Sequence, residues 1–291
     1  GHTASINYNI LPSLMAGNDL FISEGFEKIR NIFFKILSDY KITFTEIVPT
    51  ILIMLNKLKI DIEKTNLSNL KFIGCGSSTL PLPAQKEFIQ NYGIKVANLY
   101  GLSETGPSHI DNTEVQGWKP GSIGIPIDVN RCRLNKKGEI NLKGDNVFVG
   151  YYKNKKLYKK VVKNGWFNTG DLAYFKDNKY WFLDRSKDLI IKGGINIVPM
   201  EIEEVIYKIK GIIECCVVGK EEQLQGEEVA VVIKKEKKVN KSLIIKNIKN
   251  DCKMSLSNYK MPMYFYFWNE IPKTISKKIK RKEVREIINK N

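Results

Sequence analysis

A chain of 291 residues with 43% hydrophobic content is too long for one small domain and indicates two packed domains. Apolar runs stay well short of the roughly 20 residues that span a bilayer, and two histidines are too few for a histidine-based metal site. The formal net charge of +16 comes mainly from lysines spread along the chain, which argues against nucleic acid as a partner, since nucleic-acid surfaces concentrate arginine and aromatic side chains.

The first residues and the cysteines indicate the compartment. The opening stretch GHTASINYNI lacks the basic and then apolar pattern of a secretory signal. The five cysteines are odd in number and lack metal-ligand or disulfide-framework spacing, so we expect reduced, structural thiols. We therefore predict a cytoplasmic protein.

The first region, residues 1–112, alternates helical and strand patterns. Apolar residues recur at helical spacing in FEKIRNIFFKILSDY, and ITFTEIV is typical of a strand that ends at Pro49. KFIGCG and KVANLYG indicate buried strands that run into glycine loops. Because strands that alternate with helices form parallel sheets, we predict a parallel α/β subdomain.

The second region, residues 113–186, changes to short strand patterns separated by glycine and Asn/Asp turns. The predicted strands lie in GSIGIPI, CRLNKKGEINLKG, VFVGYY and AYFKDNKYWFLD. This texture predicts a small antiparallel sheet or barrel. Together, residues 1–186 would form one large domain.

The third region, residues 187–291, has the α+β texture of a compact lid domain. We predict helices in PMEIEEVIYKI, KSLIIKNIKNDCKMS and KEVREIINK, and strands in EEVAVVIKK and YFYFW. The overall fold class is therefore α/β, with a small α+β domain at the C-terminal end.

Two turns follow predicted parallel strands, where α/β sheets commonly bind ligands. The first contains Gly74, Gly76, Ser77 and Ser78, whose backbone amides and small side chains can come within contact distance of a flat ligand. An ordinary glycine turn is the alternative explanation.

The second turn is YGLSE. Tyr100 could stack on a base, and Gly101 permits a close backbone approach. Ser103 could hydrogen-bond a phosphate oxygen, and Glu104 could hold Mg²⁺ directly or through water. The two turns together predict a ligand site at this edge of the sheet.

Two further stretches carry charge. Asp171, in TGD, could accept both hydroxyls of a ribose, and Arg185, in LDRSKD, offers a planar fork to ribose or phosphate oxygens. A surface ion pair between them is the alternative. Near the C-terminus, IPKTISKKIKRKEVREI has the composition of the solvated start of a basic helix.

In this order and at these separations, the four stretches resemble the adenylate-forming superfamily of acyl-CoA synthetases, aryl-CoA ligases, beetle luciferases and peptide-synthetase adenylation domains. The family's Tyr-Gly-x-Thr-Glu motif is matched by YGLSE, with Ser103 in place of threonine. Its Thr-Gly-Asp motif is matched by TGD. KPGSIGIPI and GEINLKGDNVFVGYY match further family signatures, so the resemblance covers the whole chain.

The hinge and lysine motifs of the family are matched with two changes. In DRSK, Asp184 replaces the usual glycine, as in luciferase-like members, and Lys187 falls at the hinge position. In PKTISKK, Lys278 falls on the catalytic lysine, while Lys277 stands where the family has glycine. A lysine at a position of positive φ costs about 1 kcal/mol or more, so Lys277 could slow the reaction.

The resemblance implies a two-step reaction that uses ATP, Mg²⁺ and coenzyme A. A carboxylic acid would attack the α-phosphate of ATP, and a thiol would then displace AMP from the acyl-adenylate. Lys278, Glu104 and Ser103 would act in catalysis, with Glu104 as the metal ligand, and the small domain would rotate at Lys187 between the two steps.

The resemblance also assigns binding residues. The ATP and AMP contacts would be Gly76, Ser77, Ser78, Asn98, Leu99, Tyr100, Gly101, Ser103, Asp171, Phe182, Arg185 and Lys278. The thiol tunnel would contain Lys192, Gly193 and Gly194. The acyl pocket would contain His2, Gly74 and Leu102.

The chain departs from the family at its start. A phosphate loop rich in Thr, Ser and Gly precedes the Tyr-Gly motif in the family, and no such loop is present in these residues. We therefore expect this chain to be the C-terminal part of a longer enzyme and to be nearly inactive alone.

The sequence only partly determines which carboxylic acid and which thiol are the substrates. No acidic residue precedes Asp19, which argues against an amino acid as substrate, while fatty and aromatic acids both remain open. Coenzyme A is the expected thiol, and a carrier protein supplied as a separate chain is the alternative. A non-catalytic relative that binds adenylate or coenzyme A, an amino-acid adenylation enzyme and a basic nucleic-acid-binding protein are the competing functions.

Overall fold

The computed structural model describes residues 5–274 and 278–290. The predicted acyl-pocket residue His2 and the motif residue Lys277 lie outside the described residues. The chain divides into two compact units: unit 1 contains residues up to 169 and 174–182, and unit 2 contains residues 170–173 and those from 183 onward. The domain boundary predicted between residues 186 and 187 stays a proposal.

Unit 1 contains a mixed five-stranded sheet in the order β1-β2-β3-β4-β5. Its strands are β1 Phe44–Ile47, β2 Phe72–Cys75, β3 Val96–Leu102, β4 Gly106–Ile110 and β5 Ile125–Pro126. Strands β1, β2 and β3 are parallel, as predicted, whereas β4 and β5 are antiparallel to their neighbours. The reversal arises at residues 103–105, where a tight turn returns the chain beside β3 and leaves no room for a crossover helix.

Five α-helices accompany this sheet. They are α1 Leu11–Met15, α2 Phe26–Ile29, α3 Phe33–Asp39, α4 Pro49–Leu58 and α5 Leu82–Tyr92. Helix α4 begins at a proline, which fits the first helical turn, and α5 ends at Gly93, whose φ of +68° closes the helix. The core between helices and sheet contains Phe34, Leu52, Leu55, Ile73 and Phe88, all fully buried.

The stretch 26–40 was expected to form one helix and instead forms two. A 3₁₀ turn over Arg30–Ile32 separates α2 from α3. The tighter turn changes the angular spacing, so that the adjacent residues Phe33 and Phe34 are both buried in the core. Tertiary packing of these rings overrides the regular helical pattern.

A second sheet has the order β10-β9-β7-β6, with β8 paired to β9. The elements are β6 Asn130–Leu134, β7 Glu139–Gly144, α6 Lys155–Val161, β8 Val162–Lys163, β9 Trp166–Lys176 and β10 Lys179–Arg185. The pairs β6–β7 and β8–β9 are antiparallel, as predicted for this region.

The strand expected in VFVGYY is wrong, because residues 147–152 contain no strand. Phe148 lies in a cluster of edge-to-face rings, with its centroid 4.7 Å from Tyr151, 5.3 Å from Tyr158 and 5.4 Å from Phe167. Aromatic packing in an irregular loop therefore explains the apolar residues that suggested a strand.

Unit 2 is an α+β unit with a sheet in the order β12-β11-β14-β13, to which β15 adds in parallel beside β14. Its elements are β11 Ile190–Lys192, β12 Ile195–Ile197, α7 Pro199–Ile206, β13 Ile212–Glu222, β14 Gly226–Lys235, α8 Lys241–Ser255, β15 Tyr264–Phe267 and α9 Arg281–Lys290. All five elements predicted here are present, and α/β is confirmed as the fold class. Strand β13 and the β11–β12 hairpin were not predicted. In the part of the chain that the structure describes, no helix is long and apolar enough to cross a membrane.

Candidate functional site

Two glycines, Gly74 in β2 and Gly76 directly after it, have neighbours that leave little space for a side chain. A Cβ atom on Gly74 would lie 2.6 Å from Leu99 Cδ1, and one on Gly76 would lie 3.0 Å from the Leu99 carbonyl oxygen. Both distances are shorter than normal contacts, so a side chain at Gly74 would displace the Leu99 side chain and one at Gly76 would press on the backbone of β3. The ligand roles of Gly74, Gly76 and Leu99 stay predictions.

Directly after these glycines, Ser77 has a left-handed backbone. Its φ is +68°, and the residue is exposed, while Ser78 is half-buried. A non-glycine residue in this conformation costs about 1 kcal/mol or more. Such strain is concentrated at functional sites, which is consistent with the predicted nucleotide contact at this turn.

Strand β3 holds its side chains by internal contacts. Asn98 donates from Nδ2 to the Ser122 carbonyl oxygen at 2.8 Å. The Tyr100 ring is largely buried, 5.3 Å from the His109 ring and 6.2 Å from the Phe182 ring. Two residues predicted to contact the nucleotide, Tyr100 and Phe182, are thus brought together in unit 1.

His109, on β4, had no role in the sequence prediction. Its Nδ1 lies 3.2 Å from Ser108 Oγ, and its ring is edge-on to Tyr100 and Tyr180. Burial lowers the pKa of His109 to about 4, so the ring is neutral at pH 7. His109 supports Tyr100 by packing.

The turn between β3 and β4 presents Glu104. Its Oε1 accepts a hydrogen bond from the Tyr151 hydroxyl at 2.9 Å, and its carbonyl oxygen accepts one from the Phe148 amide at 2.8 Å. Partial burial and the hydrogen bond to Glu104 raise the pKa of Tyr151 to about 12. Ser103 is exposed at the same turn, and Gly101 and Leu102 are half-buried at the end of β3.

Within the described residues, no cluster of three or more Asp, Glu, His or Cys side chains could hold a metal ion. Mg²⁺ is usually bound by one or two carboxylates together with substrate phosphates and water. The single carboxylate of Glu104, held in place by Tyr151, therefore fits Mg²⁺ brought by ATP better than a resident metal ion.

In unit 2, Asp171 and Arg185 form an ion pair. Arg185 Nε lies 3.2 Å from Asp171 Oδ1, and the Asp171 side chain is only 3% exposed. The ion pair expected as the alternative explanation is thus present, although one partner is buried rather than on the surface. The role of the pair in ribose binding stays a prediction.

Lys278 lies in the electrostatic field of this pair. Burial lowers the pKa of its ammonium, as do the positive charges of Arg185 and Lys187, while Asp171 and Asp188 raise it. Its backbone is fixed by two hydrogen bonds to Thr274, from the Lys278 amide to Oγ1 at 3.1 Å and from the Thr274 amide to the Lys278 carbonyl at 2.8 Å. Unit 2 therefore brings together three residues predicted to bind ATP.

Asp184, which replaces the family glycine, is buried beside the start of α7. Its Oδ1 accepts from the Arg185 amide at 2.8 Å and its Oδ2 from the Met200 amide at 3.2 Å, so it caps the helix. Burial, with smaller contributions from the charges of Glu203 and Asp188, raises the pKa of Asp184 to about 6 against the opposite effects of Arg281 and the Arg185 amide.

The predicted hinge and thiol-tunnel residues follow in the same unit. Lys187 is exposed in a 3₁₀ turn over Ser186–Asp188. Gly193 and Gly194 connect β11 to β12 with φ of +55° and +81°, the conformation of a two-residue hairpin turn. Lys192 Nζ lies 2.8 Å from Glu228 Oε2, which holds the hairpin against β14.

Family models match both parts of the chain. The model of the AMP-binding enzyme family matches residues 1–152, and that of the AMP-binding enzyme C-terminal domain matches residues 201–278. The chain belongs to the AMP-binding enzyme family. This assignment confirms the resemblance to adenylate-forming enzymes.

Curated relatives of this chain are coenzyme A ligases. A long-chain-fatty-acid–CoA ligase of Bacillus subtilis is 32% identical over 98% of this chain and 52% of its own length. A 2-succinylbenzoate–CoA ligase of Bacillus cytotoxicus is 34% identical over 78% of this chain and 48% of its own length. The chain spans about half the length of these relatives.

A solved relative has the same fold. The o-succinylbenzoate CoA synthetase of Bacillus subtilis, in complex with its acyl-adenylate intermediate, matches with a TM-score of 0.82 and 26% identity. The match covers 98% of this chain and 58% of that protein.

Proposed function

We propose that the protein containing this chain activates a carboxylic acid with ATP and transfers the acyl group to a thiol. The observation that carries the proposal is the group formed in unit 2 by a buried carboxylate, a guanidinium and a lysine, Asp171, Arg185 and Lys278, in a member of the AMP-binding enzyme family. A ribose with its adjoining phosphate needs an acceptor and positive charge, and this group supplies both.

In the first step, a carboxylate oxygen attacks the α-phosphorus of ATP. The bond from the α-phosphorus to the bridging oxygen breaks, and pyrophosphate leaves with the electron pair. Attack of one anion on another requires positive charge at the phosphate, which the Lys278 ammonium would supply. Mg²⁺ held by Glu104 would neutralise phosphate charge when bound.

In the second step, the thiol sulfur attacks the carbonyl carbon of the acyl-adenylate. The bond from that carbon to the phosphate oxygen breaks, AMP leaves, and the thiol proton passes to solvent. We assign Lys192, Gly193 and Gly194 to the thiol path and Lys187 to the hinge. The quoted relatives are CoA ligases, which favours coenzyme A over a carrier protein as the thiol.

Most of the nucleotide contacts that the family resemblance implies lie in unit 1. We assign Gly76, Ser77, Ser78, Asn98, Leu99, Tyr100, Gly101 and Phe182 of unit 1 to the adenine side of ATP. We assign Ser103 to a phosphate oxygen, and Gly74 and Leu102 to the acyl pocket. The cytoplasmic location belongs to the same proposal.

The first step is tested on the complete protein that contains this chain. The measurement is the exchange of labelled pyrophosphate into ATP in the presence of an added carboxylic acid. We expect exchange with at least one acid, and CoA thioester once coenzyme A is added. A protein that binds adenylate without catalysis would bind AMP and give no exchange with any acid.

A further inference from the structure

The backbone on the two sides of Lys278 is joined by short-range pairing. Lys273 pairs with Ile279 as an isolated antiparallel bridge. Thr274 and Lys278 form the two hydrogen bonds described above, at 2.8 and 3.1 Å. Any contact that fixes Lys273, or the residues that follow Ile279, therefore also fixes the backbone of Lys278.

The first such contact is an ion pair between Lys273 and Glu214. Glu214 lies on β13, and the side chains of Lys273 and Glu214 are 19% and 17% exposed. Without Lys273, a largely buried carboxylate would lose its counter-charge, which is costly in a protein interior. The ion pair therefore anchors the residue that begins the pairing.

The second contact is made by Arg281, the first residue of α9. Its Nη1 lies 2.6 Å from Glu203 Oε1 and its Nη2 lies 3.1 Å from Glu203 Oε2. The same Nη1 donates to the Val217 carbonyl oxygen of β13 at 2.5 Å. A guanidinium held at two points has a fixed direction as well as a fixed distance, so Arg281 fixes the chain three residues after Lys278.

Both anchors contact the same strand, β13. Glu214 and Val217 lie three residues apart on it, a separation of about 10 Å. The strand pairs with β14 from Ile212 to Glu222, and Val217 is buried in the core of unit 2. Lys278 is thus fastened on both sides to a strand of the core.

We propose that Lys273 and Arg281 are positioning residues, which hold Lys278 in place for acid activation by fastening its backbone to β13. The inference rests on the proposed function, since Lys278 is taken to act at the α-phosphate. A lysine side chain is flexible, so its ammonium can be placed accurately only if its backbone is fixed. A displacement of about 1 Å can lower a rate about 10²-fold. Because Lys278 acts in the first step, loss of an anchor should slow adenylation selectively.

The test compares the two half-reactions in the complete protein that contains this chain. Lys273→Glu places a carboxylate beside Glu214, and the double variant Lys273→Glu/Glu214→Lys restores the ion pair with its charges exchanged. For Lys273→Glu we expect kcat of pyrophosphate exchange to fall at least about tenfold. KM for ATP, and thioester formation from supplied acyl-adenylate, should stay within about twofold of the wild type. The double variant should recover kcat to within about threefold.

Lys260→Glu is the matched control. It breaks an ion pair of the same kind in unit 2, between Lys260 and Glu201 of α7, and the Lys260 side chain is 18% exposed. Both half-reactions should stay within about twofold of the wild type. If Lys273→Glu lowers both half-reactions alike, or if the control lowers pyrophosphate exchange as much, the ion pair only stabilises unit 2 and the proposal is wrong. It is equally wrong if the double variant does not recover kcat.

Arg281→Lys keeps the proposal testable if Lys273→Glu does not fold. A lysine keeps a positive charge beside Glu203 but loses the two-point contact, so adenylation should fall at least about threefold with thioester formation unchanged. Exchange in the wild type without a selective loss in these variants overturns the positioning role and leaves acid activation standing. Absence of exchange in the wild type with every acid overturns the proposed function itself.

Discussion

Unit 1 and unit 2 hold their candidate residues in different ways. In unit 1 most of them are uncharged and fixed by close packing, as Gly74 and Gly76 are against Leu99, or Tyr100 against His109. In unit 2 most of them are charged, and Asp171 and Arg185 are held by their ion pair. Substitutions in unit 1 should therefore act through size, and those in unit 2 through charge.

The largest effect is expected at Lys278. Lys278→Met removes the positive charge from the α-phosphate, and loss of one such group typically lowers kcat by about 10²–10³. Adenylation, measured as pyrophosphate exchange, should fall by this factor, while thioester formation from supplied acyl-adenylate should change little.

Lys282→Met is the matched control, because Lys282 is 91% exposed and lies 3.7 Å from Glu286 on the surface of α9. Exposed pairs contribute little, so both half-reactions should stay within about twofold of the wild type. Equal loss of both half-reactions in Lys278→Met would contradict the role given to Lys278.

The stability of the two units should respond to pH in opposite directions. His109 has a pKa lowered from 6.5 to about 4, so its contribution is complete above pH 6.5 and is lost as the pH falls towards 4. Asp184 has a pKa raised from 3.8 to about 6, so its contribution is present below pH 3.8 and is lost as the pH rises through 6. Each of these pKa shifts corresponds to a change of at most about 3 kcal/mol in the free energy of unfolding.

Hydrogen exchange followed by mass spectrometry would report each unit separately. Between pH 4 and 6.5, His109→Gln should flatten the pH dependence of protection in unit 1, and Asp184→Asn should flatten it in unit 2. If the pH dependence of protection persists in either variant, another titrating group in that unit is its cause.

A smaller effect is expected at Asp171. Asp171→Asn keeps the shape of the side chain but removes the charge that pairs with Arg185 and would accept the ribose hydroxyls. KM for ATP should rise by about 10- to 100-fold, since a charged hydrogen bond contributes about 1.5–3 kcal/mol. KM for coenzyme A should stay unchanged.

Asp177→Asn, in the exposed turn between β9 and β10, is the control for Asp171. Its φ of +52° suits asparagine as well as aspartate, so neither KM should change. Unchanged ATP binding in Asp171→Asn would remove Asp171 from the ribose site and leave it as a structural ion pair.

The sequence predicted elements whose limits are set locally. Helix α8 was predicted at its observed bounds from apolar residues that recur at helical spacing. In the structure Asn240 caps it, because its Oδ1 accepts a hydrogen bond from the Ser242 amide. Residues 26–40 were not predicted correctly, because the break between α2 and α3 depends on the burial of Phe33 and Phe34 by other parts of unit 1.

The same limit applies to the candidate site. Asp171, Arg185 and Lys278 were found because each lies in a recognisable motif, although their mutual electrostatic influence needed the structure. Tyr151 was missed, since its partner Glu104 lies 47 residues away in the chain. The only sequence signal for Tyr151 is its place in the GYY signature.

The smallest effects, at two glycines, give the sharpest contrast between the units. Gly193 of unit 2 has φ of +55° with no atom within 4 Å of its added Cβ, so a side chain costs only backbone strain, about 1 kcal/mol for alanine. Asparagine tolerates this conformation better than alanine and should cost less. Gly74 of unit 1 needs no positive φ, but its Cβ would lie 2.6 Å from Leu99 Cδ1, so the larger asparagine should cost more than alanine. In urea unfolding, the asparagine variant should therefore have a higher free energy of unfolding than the alanine variant at position 193 and a lower one at position 74. If the two variants follow the same order at both positions, a single cause, either backbone strain or crowding, governs both glycines. The contrast between the units would then not extend to their backbones.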